Sequence, residues 1–150
     1  MTRSVTNRRN RAKGQEYERR LCRALESAMP GTRWKRRTQT RGARVDGSDV
    51  EGTDAQGRPV LVWIEAHNGT QKLEDKLSQA IRDAPEGWRP IAVAHRPASH
   101  YSNDRARMML SDLLELLGMP GRITEAAEGL PIETEWSRVL MVLGKWWGEK

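Results

Sequence analysis

The stretch from Pro59 to Ala66 constrains the fold most. Val60-Leu61-Val62-Trp63-Ile64 is apolar on both faces and runs straight into Glu65. Side chains on a strand alternate sides, so an apolar run without alternation belongs to a strand covered on both faces. Gly69-Thr70 follows, and then Leu73, Leu77, Ala80, Ile81 and Ala84 recur at helical spacing until Pro85 and Gly87 end the pattern. Pro90-Ile91-Ala92-Val93-Ala94-His95 reads as a second short buried strand. Strand, helix and strand make a βαβ unit, which is parallel and right-handed. The fold class is therefore α/β.

Around this unit the chain is organised by its punctuation. Tyr17, Leu21, Ala24, Leu25 and Ala28 predict a first helix over 15–29, stopped by Pro30-Gly31. Thr32 to Thr40, with Trp34 amid Lys35, Arg36 and Arg37, reads as an edge strand leading into the loop 41–44. Residues 47–52 read as a short strand between glycines, and 54–57 as a hairpin connection. A third helix is expected over about 103–117 and a last one over about 134–147. The last carries Trp136, Val139, Leu140, Met141, Val142, Leu143, Trp146 and Trp147, an apolar surface wider than one face. Deep docking and a subunit contact both account for it.

A chain of 150 residues holds one domain. We expect a flexible basic arm over 1–12 and one domain over 13–150, with a core over about 13–96 and a C-terminal helical extension over 97–150. With 37% hydrophobic and 31% charged residues the composition suits a small globule rather than a disordered chain or a membrane protein. The apolar stretches Val60 to Ile64 and Val139 to Leu143 are far shorter than the roughly 20 residues of a membrane span. No apolar segment follows Met1-Thr2-Arg3, so we expect no secretory signal and a cytoplasmic location. The single cysteine, Cys22, reads as a core-edge residue, and three histidines are too few for a Cys/His zinc site. His95 and His100, close to Pro97, read as surface loop residues.

Charge points to a partner. The net charge is +6, but residues 1–44 hold 14 Lys/Arg and 3 Asp/Glu (+11), against 12 and 17 (−5) over 45–150. Such a field draws a polyanion to one side, and nucleic acid is the polyanion most available. A solvated basic tail is the plainer alternative.

One constellation carries chemistry. On the central strand Leu61, Trp63, Glu65 and His67 share a face, and Asp49 lies on the strand or turn before it. A carboxylate at the end of an apolar strand is costly to desolvate unless it is paired or bound to a cation. Two acids brought together repel each other, and a hard divalent ion relieves that repulsion through oxygen ligands. Glu18, at the edge of the first helix's apolar stripe, is placed to add a third oxygen. Solvated strand-end acids are the competing reading. Lys72, Lys76, Gln79 and Asp83 form a polar stripe beside the apolar face of the second helix. Gly42, Gly47, Gly52 and Gly57 make no phosphate loop, since no G-x-x-x-x-G-K-[ST] occurs.

Four segments together resemble the PD-(D/E)XK nuclease superfamily, and within it the archaeal and phage-type Holliday junction resolvases. They are Lys13-Gly14-Gln15-Glu16-Tyr17-Glu18-Arg19-Arg20-Leu21, Ser48-Asp49-Val50-Glu51-Gly52, Val62-Trp63-Ile64-Glu65-Ala66-His67, and Lys72 through Asp83 with Pro90 to Val93 behind it. The resemblance covers about residues 12–96. It implies a restriction-endonuclease-like αβββαβ core with a central mixed sheet flanked by helices, extra C-terminal helices, and Mg²⁺- or Mn²⁺-dependent endonuclease activity on branched DNA. Because junctions are resolved by paired cuts, it also implies a homodimer. Carried over, Asp49 and Glu65 hold the metal with the Ala66 carbonyl, and Glu18 binds a second metal or its water shell. Asp46 is a weaker candidate for the Asp49 role. DNA-binding candidates are Arg8, Arg9, Arg11 and Lys13 in the arm, Lys35, Arg36, Arg37, Arg41 and Arg44 after the first helix, and Lys72, Lys76 and Gln79 on the second.

The departure is His67, where the superfamily usually has lysine. Histidine titrates near an unperturbed value of about 6.5, so its charge depends on pH. Three alternatives stand: His67 replaces the lysine, Lys72 or Lys76 reaches in from the helix, or the site binds nucleic acid without cutting it.

Overall fold

The computed structural model describes residues 3–37, 49–69, 72–96, 98–119 and 128–150, and only the backbone of residues 3, 4 and 7. Six strands form one mixed sheet in the order β1-β2-β3-β4-β5-β6. They are β1 (Arg33–Arg36), β2 (Val50–Thr53), β3 (Val62–Asn68), β4 (Arg89–His95), β5 (Arg105–Met109) and β6 (Pro131–Glu135). The helices are α1 (Arg3–Ala28), α2 (Leu73–Asp83), α3 (Leu110–Leu116) and α4 (Trp136–Gly148). The chain runs α1-β1-β2-β3-α2-β4, the αβββαβ order expected for the core.

β3 and β4 are parallel and central, joined through α2, while every other neighbouring pair is antiparallel. On one face α1 and α4 cover the sheet: Tyr17, Leu21 and Leu25 pack with Val62, Ile64, Ile91, Val93, Val139 and Leu143. Leu73 and Leu77 of α2 cover Ala92 on the other. β3 is thus buried on both sides, as its unbroken apolar run requires, until Ala66, His67 and Asn68 emerge half-buried at its end.

Glycine sets two close contacts. A Cβ on Gly52 would lie 2.4 Å from Trp34 Cε2, so the β1–β2 hairpin packs the indole flat on bare backbone. A Cβ on Gly144 would lie 2.6 Å from the Ala28 carbonyl oxygen, where α4 crosses the end of α1. Trp147 Nε1 donates to the Pro30 carbonyl at 3.1 Å beside that crossing. Of the two readings of the apolar last helix, docking holds for Trp136, Val139 and Leu143, which are buried within the chain.

Several expectations need correction. Helix α1 begins at Arg3, so the described part of the segment expected as a flexible arm is helical. The expected helix over 103–117 is two elements, β5 and then α3, and β6 precedes α4. The segment after 97 therefore extends the sheet by two strands as well as adding helices. β5 buries Ala106 and Met108 and turns Arg105 and Arg107 outward, a strand period that the leucines behind it obscured. β3 starts at Val62 rather than Pro59, since 59 makes only an isolated bridge to Thr53. His95 is not a surface loop residue: it ends β4 and is 6% exposed. His100 is exposed, as expected. Cys22 is buried at the core edge, and burial raises its thiol to about 11, leaving it unreactive.

Candidate active site

The site forms where β2 and β3 part. Their ladder is short, with Val50 opposite Ile64, and Asp49 just precedes it. The Asp49 backbone is held on both sides: its N–H donates to the Ile64 carbonyl at 3.0 Å, and its carbonyl accepts the Arg37 N–H at 3.0 Å. One residue pair further on, the Ala66 N–H donates to Asp49 Oδ2 at 2.7 Å. The carboxylate so takes an amide that a continuing strand would have taken, which satisfies the backbone and aims Asp49 at β3.

Glu65 is 3% exposed. Trp63, two residues back on the same face, donates its indole N–H to Glu65 Oε1 at 3.0 Å. Burial, the Asp49 charge and a hydrogen bond with Asp49 together push the Glu65 carboxyl up to about 7, against the opposing pull of the Trp63 hydrogen bond and the Lys76 charge. This is the electrostatic pattern of two acids forced together, the situation that oxygen-seeking cations relieve.

Lys76 faces this pair from α2. Its charge reaches both Glu65 and His67. His67 is held below the ordinary histidine value by burial first and then by Lys76, against the pull of Asp49, so its imidazole is mainly neutral at pH 7. The ring lies against the chain at Gly69, where a Cβ would come within 2.7 Å of Nε2. Of the lysines considered for the missing cation, Lys76 is half-buried on the site side and Lys72 is exposed at the start of α2. Gln79 is half-buried one turn beyond Lys76.

Glu18 is not brought into the acidic pair. Its Oε2 accepts from Arg36 Nε at 2.9 Å, although Asp49 is close enough for its charge to help raise the Glu18 carboxyl, after burial. Among the described residues no group of three or more His, Cys, Asp or Glu is arranged to hold a metal. Two hard carboxylates side by side, with the Asp49 charge helping to raise the proton affinity of Glu65, suit one divalent cation; a third acid is not supplied by Glu18 in this rotamer. Asp46, Arg41 and Arg44 lie outside the described residues.

The nucleic-acid candidates fall into two groups. Arg8, Arg9, Arg11 and Lys13 are exposed on α1, ahead of its first buried residue, Tyr17. Lys35 is exposed on β1, whereas Arg36 is spent on Glu18 and Arg37 lies 3.8 Å from Glu51. Sequence reasoning missed a further pair. His95 Nδ1 and Asp104 Oδ1 meet at 2.7 Å, both buried, with Tyr101 stacked on the imidazole at 4.1 Å between ring centroids. Nothing in the order of residues 95–104 announces this pair, because the two come together only through the β4–β5 antiparallel register.

No helix among the described residues is long and apolar enough to cross a membrane. No family model matches the chain, and no curated protein matches it. Among solved structures, that of Archaeoglobus fulgidus Hjc, a Holliday junction resolvase from an archaeal hyperthermophile, is similar, with a TM-score of 0.45 and 16% identity over 87% of this chain and 98% of that one.

Proposed function

We propose that the protein is a divalent-metal-dependent DNA endonuclease of the junction-resolving kind, hydrolysing phosphodiester bonds in branched DNA. The observation that carries the nuclease reading is the Asp49–Glu65 pair, fixed by the Ala66 amide at the parting of β2 and β3 and faced by Lys76. Branch specificity, and the homodimer that paired cuts need, rest on the resemblance of the sequence motifs.

Asp49 and Glu65, with the Ala66 carbonyl, are the groups that would hold Mg²⁺ or Mn²⁺, which when bound supplies a polarised water and offsets the charge gathering on the phosphate. Lys76 takes the part of the expected lysine and sets a positive charge beside that phosphate. His67, neutral at pH 7, accepts a hydrogen bond or a proton from water at a ring nitrogen, work that a permanent cation cannot do. Trp63 fixes the Glu65 carboxylate in one orientation and favours its charged form. Glu18 and Arg36 hold α1 to β1 next to the pair.

The test is incubation of a labelled four-way DNA junction, and of its linear duplex arms, with Mg²⁺, Mn²⁺ or chelator. Metal-dependent symmetric nicks confined to the junction are expected. Tight, salt-sensitive binding without cuts under any metal would replace this reading with the second one, a nuclease-fold protein that binds nucleic acid without turnover. Two observations favour that second reading: Glu18 pairs with Arg36 instead of completing the acidic group, and histidine stands where the superfamily usually has lysine. Absence of binding at moderate salt would overturn both.

A further inference from the structure

A groove of about 820 Å³ opens on the α2 side of the sheet, beyond the C-terminal ends of β3 and β4. Its wall includes Gly69, against which the His67 ring lies, so it borders the candidate active site at the end of β3. Three cations from three different elements line it: Lys72 before α2, Arg96 after β4 and Arg105 at the start of β5. Ser99 and Asn103 add neutral hydrogen-bonding groups. The acid on the wall, Glu133, sits 3.7 Å from Arg105 and 3.9 Å from Arg107, and is thus shared between two guanidinium groups.

The loop that presents Arg96, Ser99 and Asn103 is built to hold its shape. The buried His95–Asp104 contact closes its base at 2.7 Å. Tyr101 stacks on His95 with one face, and the Arg20 guanidinium of α1 covers the ring at 3.3 Å from its centroid. Ala98 within it adopts φ 62°, a left-handed conformation that costs a non-glycine residue roughly 1 kcal/mol or more and persists only where the surroundings enforce it. A clasped loop that displays a cation and two polar side chains into an open groove is suited to recognition, since binding residues are often carried on loops held by a rigid scaffold.

We propose that this groove holds the phosphodiester backbone of the DNA strand that leaves the Asp49–Glu65 site, with Lys72, Arg96 and Arg105 each neutralising a phosphate. The inference rests on the nuclease reading and extends it: it assigns Arg96 and Arg105, and makes His95 and Asp104 positioning residues for the loop. A linear polyanion is the occupant because the cations come from three separate segments of an open groove, at 72, 96 and 105, and because Gly69 on its wall lies against His67 of the candidate site.

The experiment is fluorescence anisotropy of a labelled DNA junction across a range of salt concentrations. Each phosphate contact contributes about 0.9 to the slope of log affinity against log salt on duplex DNA. The Lys72→Ala/Arg96→Ala/Arg105→Ala protein should show a slope reduced by about 2 to 3 and an affinity at least about tenfold weaker at 0.1 M salt. Arg96→Glu alone, at an exposed position, should weaken binding in the same direction and keeps the test valid if the triple variant misfolds. Arg82→Ala/Arg138→Ala, which removes two charges from side chains 73% and 71% exposed elsewhere on the surface, should leave the slope unchanged. A groove variant that matches this control in slope and affinity overturns the groove while leaving the nuclease reading intact. Failure of the unmodified protein to bind DNA at all overturns both.

Discussion

At Glu65 burial and the Asp49 charge both oppose ionisation, and this has a consequence for stability. Its carboxyl is raised from 4.5 to about 7, so the folded chain keeps a proton that the unfolded chain releases in that interval. The folded state binds more protons there, so without metal its stability is full below pH 4.5 and is lost as pH rises through 7. Thermal melts in chelator should show this fall, and Glu65→Gln should flatten it. Trp63→Phe removes the indole hydrogen bond that favours the charged form, so the acid limb of the pH–cleavage profile should move to higher pH. At Gly69 an added methyl would meet His67 Nε2 at 2.7 Å. Gly69→Ala should therefore displace the ring and lower turnover more than it lowers DNA affinity; equal losses in both would argue against a role for His67 in the chemistry. The acid pair itself was legible in the sequence, because Glu65 interrupts an apolar strand and the order of elements brings Asp49 alongside. The pairing of Glu18 with Arg36 was not, because both side chains sit at the edges of their elements and only the packing of α1 on β1 decides which partner each meets.

Elements whose period is unambiguous were legible, and elements with two overlapping periods were not. The continuous apolar run of β3, the helical spacing of α2 and the short apolar β4 each carry one signal, and all three elements form, β3 with its start moved from Pro59 to Val62. Residues 103–117 carry two. Ala106 and Met108 alternate with Arg105 and Arg107 as a strand, while Leu110, Leu113, Leu114 and Leu117 extend a helical pattern back over them. β6 alternates as well, but Glu133 and Glu135 make it look like loop, which is how an edge strand guards its open side. Hairpin packing yields a prediction of its own. In Gly52→Ala the new methyl would meet the Trp34 ring at 2.4 Å, and the indole is tied down by its hydrogen bond to Thr32 Oγ1 at 3.0 Å. A loss of about 1–3 kcal/mol is expected from such overpacking, measured by denaturant unfolding; a loss below about 0.5 kcal/mol, the size of an ordinary surface substitution, would mean that the ring moves aside freely. Because Asp49 borders the same hairpin, this variant should also weaken cleavage.

Across the whole molecule, charge and topology cooperate. The only parallel pair in the described sheet, β3 and β4, ends at the clasped loop and the basic groove, and β3 carries the acidic site on the way. Residues 1–44 carry +11 against −5 over 45–150, so the first helix concentrates the positive charge that a polyanion would meet. Composition alone could not locate Arg96 and Arg105, which belong to the net-negative part of the chain and gain their meaning from the groove. The claim that joins these features is that Asp49 and Glu65 act as one metal-binding, bond-breaking unit. Its most direct measurement is cleavage of a four-way junction in Mn²⁺ by Asp49→Asn and Glu65→Gln, with junction affinity measured alongside. Each single variant should lose about 100- to 1000-fold in rate, the range for removing one stabilising group from a reacting centre, the double variant should lose little more than either, and affinity should stay within a few-fold of the unmodified protein. Undiminished cleavage by both variants would contradict the account.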